Sequence, residues 1–259
     1  MDTIKIADKK NCLMIAHRGV SGIERENTAA AFIAAGNRSY FGIETDVHVT
    51  KDGKYVIHHD NSLKRVSGVD IPVEEATLSE LREVPLYDAP GGSRTDIRVP
   101  TLADYITICR RYDKVAVLEL KGLIAPEHIT GILGVVKEYG WLEKTIFISF
   151  SHENLLELRR QVPTANAQYL ASNNKDPEWI FSFAIENKID LDIYHPALTP
   201  RSSSASTMRA SSSTAGRWTI RPRPPALSRW ALTSSPRTFW NNEGRRDYCV
   251  AGGVEPHRA

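Results

Sequence analysis

The chain has 259 residues, 41% apolar and 25% charged, with a net charge of +2, as is ordinary for a soluble globular protein. Its length suits one α/β barrel, which typically needs about 250 residues. No apolar run approaches the ~20 residues that span a bilayer, and the N-terminus carries no apolar segment of a secretory signal. The three cysteines (Cys12, Cys109 and Cys249) are far apart. We therefore expect a cytoplasmic protein with no membrane span, zinc ribbon or disulfide scaffold.

Short β-like segments alternate with helix-like segments up to about residue 195. The predicted strands, rich in Val, Ile, Phe and Tyr, are 13–16, 42–47, 55–59, 115–120, 145–150, 168–171 and 191–194. The predicted helices are 28–38, 78–82, 102–112, 126–139, 153–161 and 177–187. This alternation indicates parallel βαβ units, and seven strands before residue 200 leave one to be found for a closed eight-stranded barrel.

Several helix starts carry polar capping signals. Asn27-Thr28 is interpreted as the N-cap of the helix at 28–38, Ser79 within TLSEL is a start signal for the helix at 78–82, and Thr101 is followed by Asp104 three residues on. The stretch from 60 to 100 is long enough to be an insertion or an active-site loop.

Charged side chains occupy one face of several predicted strands, at the carboxyl end. In 115–120 the face of Val115 and Val117 continues to Glu119 and then Lys121, because residues two apart in a strand share a face. By the same rule Glu44 and Asp46 share one face of 42–47, His59 continues the face of Ile57, and His17 continues the face of Ile15. If these strands are neighbours, one barrel mouth gathers seven side chains: His17, Arg18, Glu44, Asp46, His59, Glu119 and Lys121.

These residue types suit one chemistry when they lie together. Three carboxylates repel one another unless a cation holds them, and oxygen ligands favour Mg²⁺ or Ca²⁺. Two histidines can serve as acid and base, while Arg and Lys suit an anionic substrate, above all a phosphate. Each signal alone has a structural explanation: a Glu-x-Asp pair is usually a solvated surface pair, and His59 alone is more often structural. His58 lies on the opposite face and is a weaker catalytic candidate.

Six motifs resemble those of the glycerophosphodiester phosphodiesterases of the bacterial cytosolic type: IAHRG (15–19), ENT (26–28), GIETDVHVTKDG (42–53), HHDNSLKRVSG (58–68), VPTL (99–102) and LELK (118–121). The resemblance runs from about residue 13 to 200 in constant order. It implies a TIM-type (β/α)8 barrel and one divalent cation, Mg²⁺ or Ca²⁺, on Glu44, Asp46 and Glu119. It also implies that His17 and His59 are the general base and acid and that Arg18 and Lys121 contact the phosphate.

The resemblance predicts metal-dependent hydrolysis of glycerophosphodiesters to glycerol 3-phosphate and an alcohol. One alternative is a phospholipase D-like lyase acting on lysophospholipids, which shares the barrel and the paired histidines; the missing secretory signal and disulfide pattern count against it. Another is a barrel that retains the site residues but does no chemistry because its C-terminus is altered. We expect a small-molecule substrate and no nucleic acid partner, with no prediction of the oligomeric state.

The composition changes near residue 200. Residues 201–259 contain ten Arg, no Lys, ten Ser, five Pro and one Ile, with no convincing period. We therefore divide the chain into a barrel-like domain (1–200) and an aberrant low-complexity tail (201–259). A basic tail is commonly a nucleic-acid binder.

A frameshift explains the tail better than nucleic-acid binding does. Family members continue with segments such as VNCWTVDDP and GVDFITSNILE. Codons for the first, read one base later, give STAGRWTIR, which is 213–221; codons for the second give ALTSSPRTFW, which is 231–240. We predict a frame change between about 200 and 212. The eighth strand and the helix before it should then be missing or aberrant.

Overall fold

The computed structural model describes residues 13–251 except for 90, 91, 93, 172–175, 195–236 and 241–247. Its strands are β1 (Leu13–Ala16), β2 (Gly42–Val49), β3 (Tyr55–Ile57), β4 (Val115–Leu120), β5 (Thr145–Ser149), β6 (Asn166–Ala171), β7 (Asp190–Tyr194), β8 (Arg237–Trp240) and β9 (Tyr248–Ala251). Its helices are α1 (Ala29–Gly36), α2 (Lys64–Ser67), α3 (Leu78–Glu83), α4 (Leu102–Arg111), α5 (Pro126–Glu138), α6 (His152–Gln161) and α7 (Pro177–Asn187), with a 3₁₀ turn at Leu142–Lys144.

The strands form a TIM-type barrel sheet. They pair in the order β1, β2, β4, β5, β6, β7, β8, β9, and β9 pairs again with β1. All contacts from β1 through β2 and β4 to β7 are parallel, so the carboxyl ends of these strands share one rim. The predicted fold class is confirmed. Among the described residues, no helix has both the length and the apolar character needed to cross a membrane.

The strand at 55–57 is not a barrel strand. β3 pairs antiparallel with the end of β2, with Val47 opposite Ile57 and Val49 opposite Tyr55, and so extends the sheet outside the ring. The count of seven barrel strands before residue 200 is therefore wrong, because one of them belongs to a hairpin. Among the described residues, six ring strands precede residue 195, and two rather than one come from the C-terminal part.

The C-terminal closure departs from the parallel pattern. β8 pairs antiparallel with β7 and with β9, while β9 runs parallel to β1. The sequence predicted no period here, yet two four-residue strands form. Main-chain groups at the edges of β7 and β1 can bond any short extended segment, whatever its side chains. The helix expected before the eighth strand, and the frame change expected at 200–212, lie outside the described residues.

The alternation within each strand separates two apolar layers. Ile15, Val117, Ile148 and Leu170 pack together inside the ring. The neighbouring residues of β4, such as Ala116 and Leu118, belong instead to the large cluster between sheet and helices. This arrangement agrees with the face assignment that the sequence of 115–120 predicts.

The stretch 60–100 is more structured than a loop. It contains α2 and α3, and its apolar residues form a buried cluster of their own with Val56. We call this stretch the insert. It lies directly after the β2–β3 hairpin, and Ile57 N–H donates to the carbonyl of Pro100, so both ends of the insert are fixed to the hairpin.

Helix caps follow the polar signals with two corrections. Thr101 and Asp104 form the expected capping box at α4. α3 is capped by Thr77 with Glu80 rather than by Ser79. α1 is capped by Thr28, whose hydroxyl accepts from Ala31 N–H, so the cap expected at Asn27-Thr28 is correct for Thr28 and wrong for Asn27.

Candidate active site

Three buried carboxylates meet at the carboxyl rim of the barrel. Glu44 and Asp46 lie on the inner face of β2, and Glu119 lies on β4 directly opposite Asp46 in the parallel register. One carboxylate oxygen from each lies within 4.8 Å of the others, and the three residues are at most 4% exposed. The structure thus brings together the three predicted metal ligands in an arrangement that could hold a metal ion.

The surroundings shift the pKa values of two of these acids in opposite directions. Burial, followed by the charges of Asp46 and Glu119, raises the pKa of Glu44 well above its usual range. Burial also acts to raise the pKa of Asp46, but Lys121, His59 and Arg18 outweigh it and lower that pKa to about 2. Asp46 is therefore ionised at neutral pH, whereas Glu44 retains its proton more strongly unless additional positive charge reaches the cluster.

The two predicted phosphate-binding cations border this cluster. Lys121 Nζ donates to Glu119 Oε1 at 2.9 Å and lies 3.5 Å from Asp46 Oδ1. The backbone N–H of Arg18 donates to Glu44 Oε2 at 2.8 Å, and its Nε lies 3.8 Å from Asp46 Oδ2. Arg18 Nε and Asp46 Oδ1 are both buried and make no hydrogen bond within the protein. One donor and one acceptor therefore remain for ligands.

The loop after β1 adopts a backbone that serves these contacts. Arg18 and Asn27 both have φ near +54°, in the left-handed region that non-glycine residues rarely adopt. Gly19 follows at φ +75°, where a Cβ would lie 2.7 Å from the backbone of Ala31. The tight turn points the Arg18 N–H at Glu44, and such strain is typical of functional sites.

The two predicted catalytic histidines reach the rim from different segments. His17 Nε2 lies 3.8 Å from Glu44 Oε2. His59 follows the antiparallel strand β3, which returns to the rim because β2 continues beyond the barrel before the hairpin. His59 Nδ1 is 2.7 Å from Asp60 Oδ1. The hydrogen bond with His59 and the contacts with Arg65 hold the pKa of Asp60 far below its usual range, so Asp60 only accepts, and Nδ1 carries the proton.

His58 has a structural environment. It is 3% exposed, and its Nε2 lies 3.1 Å from the carbonyl oxygen of Ser62. Burial lowers its pKa to about 4, so the ring is neutral at pH 7 and donates to that carbonyl. This arrangement agrees with the opposite-face placement that made His58 the weaker candidate.

Asn27 is a site residue that sequence reasoning missed. Its amide Nδ2 donates to Asp46 Oδ2 at 2.8 Å, and its Oδ1 accepts from the hydroxyl of Thr45 at 2.8 Å. The side chain is buried and orients Asp46. The ENT motif at 26–28 was the available signal, but a helix start explains the same three residues. Glu26 was missed for the same reason, whereas Arg65 and its partner Asp60 were missed because the contact of Arg65 with Glu26 joins distant parts of the chain.

A TIM-type barrel with acids, cations and histidines at the carboxyl ends of its strands has the layout of a barrel enzyme. Residues 17–183 match the Glycerophosphoryl diester phosphodiesterase family. The match covers more than half of the chain, and the chain belongs to this family.

Individual relatives agree with the family. The chain is 33% identical over 153 residues to the glycerophosphodiester phosphodiesterase of Caldanaerobacter subterraneus, covering 58% of this chain and 63% of that relative. It is 38% identical over 96 residues to a lysophospholipase D of Rattus norvegicus, covering 35% of this chain and 31% of that protein. A solved Oleispira antarctica phosphodiesterase, in complex with the product sn-glycerol-3-phosphate, matches with a TM-score of 0.67 at 27% identity. The match covers 74% of this chain and 78% of the solved chain. The chain thus spans under two thirds of the length of the first of these relatives.

Proposed function

We propose that the protein is a metal-dependent phosphodiesterase that hydrolyses glycerophosphodiesters to glycerol 3-phosphate and an alcohol. The observation that carries the proposal is the convergence, at one rim, of three buried carboxylates with two cations and two histidines. The Oleispira antarctica structure holds sn-glycerol-3-phosphate as a product, which supports the same product here. The cytoplasmic location expected from the sequence belongs to this proposal.

Arg18 and Lys121 would bind the phosphodiester. Burial alone lowers the pKa of each side chain, but the neighbouring carboxylates raise both above their usual values, so both remain cationic. The Nε of Arg18 has no hydrogen bond within the protein and can donate to a phosphoryl oxygen. Charge-assisted donors held in a buried site stabilise charge that builds up on the phosphoryl oxygens.

Glu44, Asp46 and Glu119 would hold the divalent cation, Mg²⁺ or Ca²⁺. The fit rests on the oxygen-only donor set and on the buried Oδ1 of Asp46, which makes no hydrogen bond. When bound, the ion supplies Lewis-acid stabilisation of the phosphoryl oxygens. It would also relieve the repulsion that raises the pKa of Glu44.

The histidines would move the protons. One of His17 and His59 removes the proton from the attacking hydroxyl, either that of water or that of the substrate's own glycerol, and the oxygen of this hydroxyl bonds to phosphorus. The P–O bond to the alcohol breaks, and the other histidine protonates the leaving alkoxide. In net terms one water is consumed. Asp60 fixes the proton of His59 on Nδ1, so Nε2 is the ring nitrogen that exchanges protons with a substrate.

Substrate choice tests the proposal against the lysophospholipase D alternative, which the resemblance to the rat enzyme supports. We expect the protein to release glycerol 3-phosphate from glycerophosphocholine with a higher kcat/KM than that for choline release from lysophosphatidylcholine. An enzyme-coupled glycerol 3-phosphate assay and a choline assay measure the two. A preference for the lipid would replace the proposed substrate class.

Replacing His59 by alanine should lower kcat by about 10²–10⁴-fold, the usual contribution of a general acid or base. Metal binding should persist, because His59 is not one of the three acids. His152→Ala is a matched control, since both histidine side chains are 32% exposed and His152 lies on α6. Full activity of His59→Ala would transfer its role to another residue, with His58 the first to test.

A further inference from the structure

A continuous series of polar contacts joins His59 to Arg18. Asp60 accepts from His59 through Oδ1 and from Arg65 Nε through Oδ2, the latter at 2.6 Å. Arg65 Nη1 and Nη2 donate to the Glu26 carboxylate at 3.0 and 2.7 Å. Glu26 Oε1 also accepts from Arg18 Nη1 at 2.9 Å. The proposed acid–base residue and the proposed phosphate-binding residue are thus held by one guanidinium.

Arg65 is suited to this place by its shape. Its Nε meets one carboxylate while its two terminal nitrogens meet another, which a planar fork can do and an ammonium cannot. The side chain is 46% exposed, so each ion pair alone would stabilise the fold little. Glu26 and Asp60 are less exposed, at 17% and 28%. The main effect of Arg65 is therefore to fix the positions of these two carboxylates rather than to stabilise the fold.

The loop that carries Arg18 depends on the insert for its position. Three consecutive loop residues contact the insert: Glu24 pairs with Arg94, Arg25 donates to the carbonyls of Tyr87 and Asp88, and Glu26 binds Arg65. Arg18 and Asn27, at the two ends of this loop, have left-handed backbones. A strained conformation persists only when its surroundings determine it, and here the insert supplies those contacts.

We propose that Arg65 is a positioning residue for this site, holding Arg18 through Glu26 and His59 through Asp60 in one working arrangement. The inference rests on the proposed phosphodiesterase function. Positioning matters because a displacement of about 1 Å can cost about 100-fold in rate. Arg65 contacts neither Arg18 nor His59 directly in this series; it acts on them through Glu26 and Asp60.

The test compares Arg65→Ala with Lys64→Ala, the adjacent residue of α2. Lys64 also forms an ion pair, with Asp70 at 2.9 Å, but has no part in the series. Inorganic phosphate affinity by calorimetry and glycerophosphocholine turnover are measured on each full-length chain. We expect Arg65→Ala to weaken phosphate binding and to lower kcat by about tenfold each. Lys64→Ala should change neither by more than about twofold, and Arg65→Lys should be intermediate.

A double-variant cycle with Glu26→Gln identifies the route. If Arg65 acts on Arg18 through Glu26, the double variant should bind phosphate no more weakly than Glu26→Gln alone. Additive losses, or an Arg65→Ala variant that loses only melting temperature, would overturn the inference. A chain that binds phosphate but cleaves no diester would refute the proposed function and leave the phosphate-affinity comparison decisive for Arg65. A chain that binds no phosphate at all overturns both.

Discussion

Glu44→Gln should lose at least about 100-fold in affinity for Ca²⁺ or Mg²⁺, because even residues that only support a metal ligand commonly contribute 10–100-fold. Glu44 is buried beside two other carboxylates, and a neutral amide there removes both a ligand oxygen and a charge. Calorimetric titration of the metal alone measures the effect. In the enzyme, EDTA should abolish activity, and either ion should restore it.

Asp192→Asn is the matched control for this experiment. Asp192 is 1% exposed and lies opposite Leu170, a residue of the inner layer, but it is outside the three-acid cluster. It therefore tests the loss of a buried carboxylate from the same barrel. Equal loss of metal affinity in both variants would show that the cluster is not the metal site.

The pH dependence of metal binding follows from the same repulsion. Because burial and its neighbours raise the pKa of Glu44, the folded protein binds a proton there more tightly than the unfolded chain does. This proton must leave when a cation binds, so metal affinity should rise as pH rises through that pKa. Without metal, the stability that the bound proton gives the folded protein is lost as pH rises through the raised pKa of Glu44. Added metal should therefore raise the melting temperature most at pH values above that pKa.

Strand parity predicted much of the site because it is a local property with a fixed period. Glu44 and Asp46 are two residues apart on β2, and Glu119 lies on the parallel neighbour β4, so their spacing along the chain determines which face they share. The amino-acid composition of β3 does not show that this strand runs antiparallel to β2. The connection did contain a signal: only residues 50–54 separate β2 from β3, too few for the dozen or more residues of a parallel crossover.

The side-chain network around Arg65 lies beyond such local rules. Glu26 and Arg65 are 39 residues apart and meet because the insert folds onto the loop after β1. Asn27 has a polar side chain before a helix, which predicts a cap, but its left-handed backbone turns that side chain to Asp46 instead. Long-range packing thus decided which polar residues became partners, and only the resemblance to family motifs indicated where to look.

Restoring the reading frame by one base near codons 200–212 should give a markedly more stable and more active protein. In the chain as given, the ring closes through β8 and β9, which are four residues each and share two residue pairs. β8 runs against the direction common to β1, β2 and β4 to β7. The sequence around these strands, with five prolines and one isoleucine in 201–259, lacks the alternation that fills a barrel interior.

The size of the effect follows from the number of side chains concerned. Two ordinary barrel strands and a helix each bury several apolar side chains, at ~1.5–3 kcal/mol apiece, against a total stability of about 5–15 kcal/mol. Restoration should therefore raise the melting temperature by more than about 10 °C, since each kcal/mol corresponds to about 2–4 °C at this size.

Size-exclusion chromatography, thermal unfolding and glycerophosphocholine turnover of the two chains measure the difference, and DNA sequencing across codons 195–245 checks its cause. If the chain as given proves monomeric, cooperatively folded and fully active, β8 and β9 are a sufficient substitute for the parallel strands; if it folds but cleaves no diester, it is the non-enzymatic barrel.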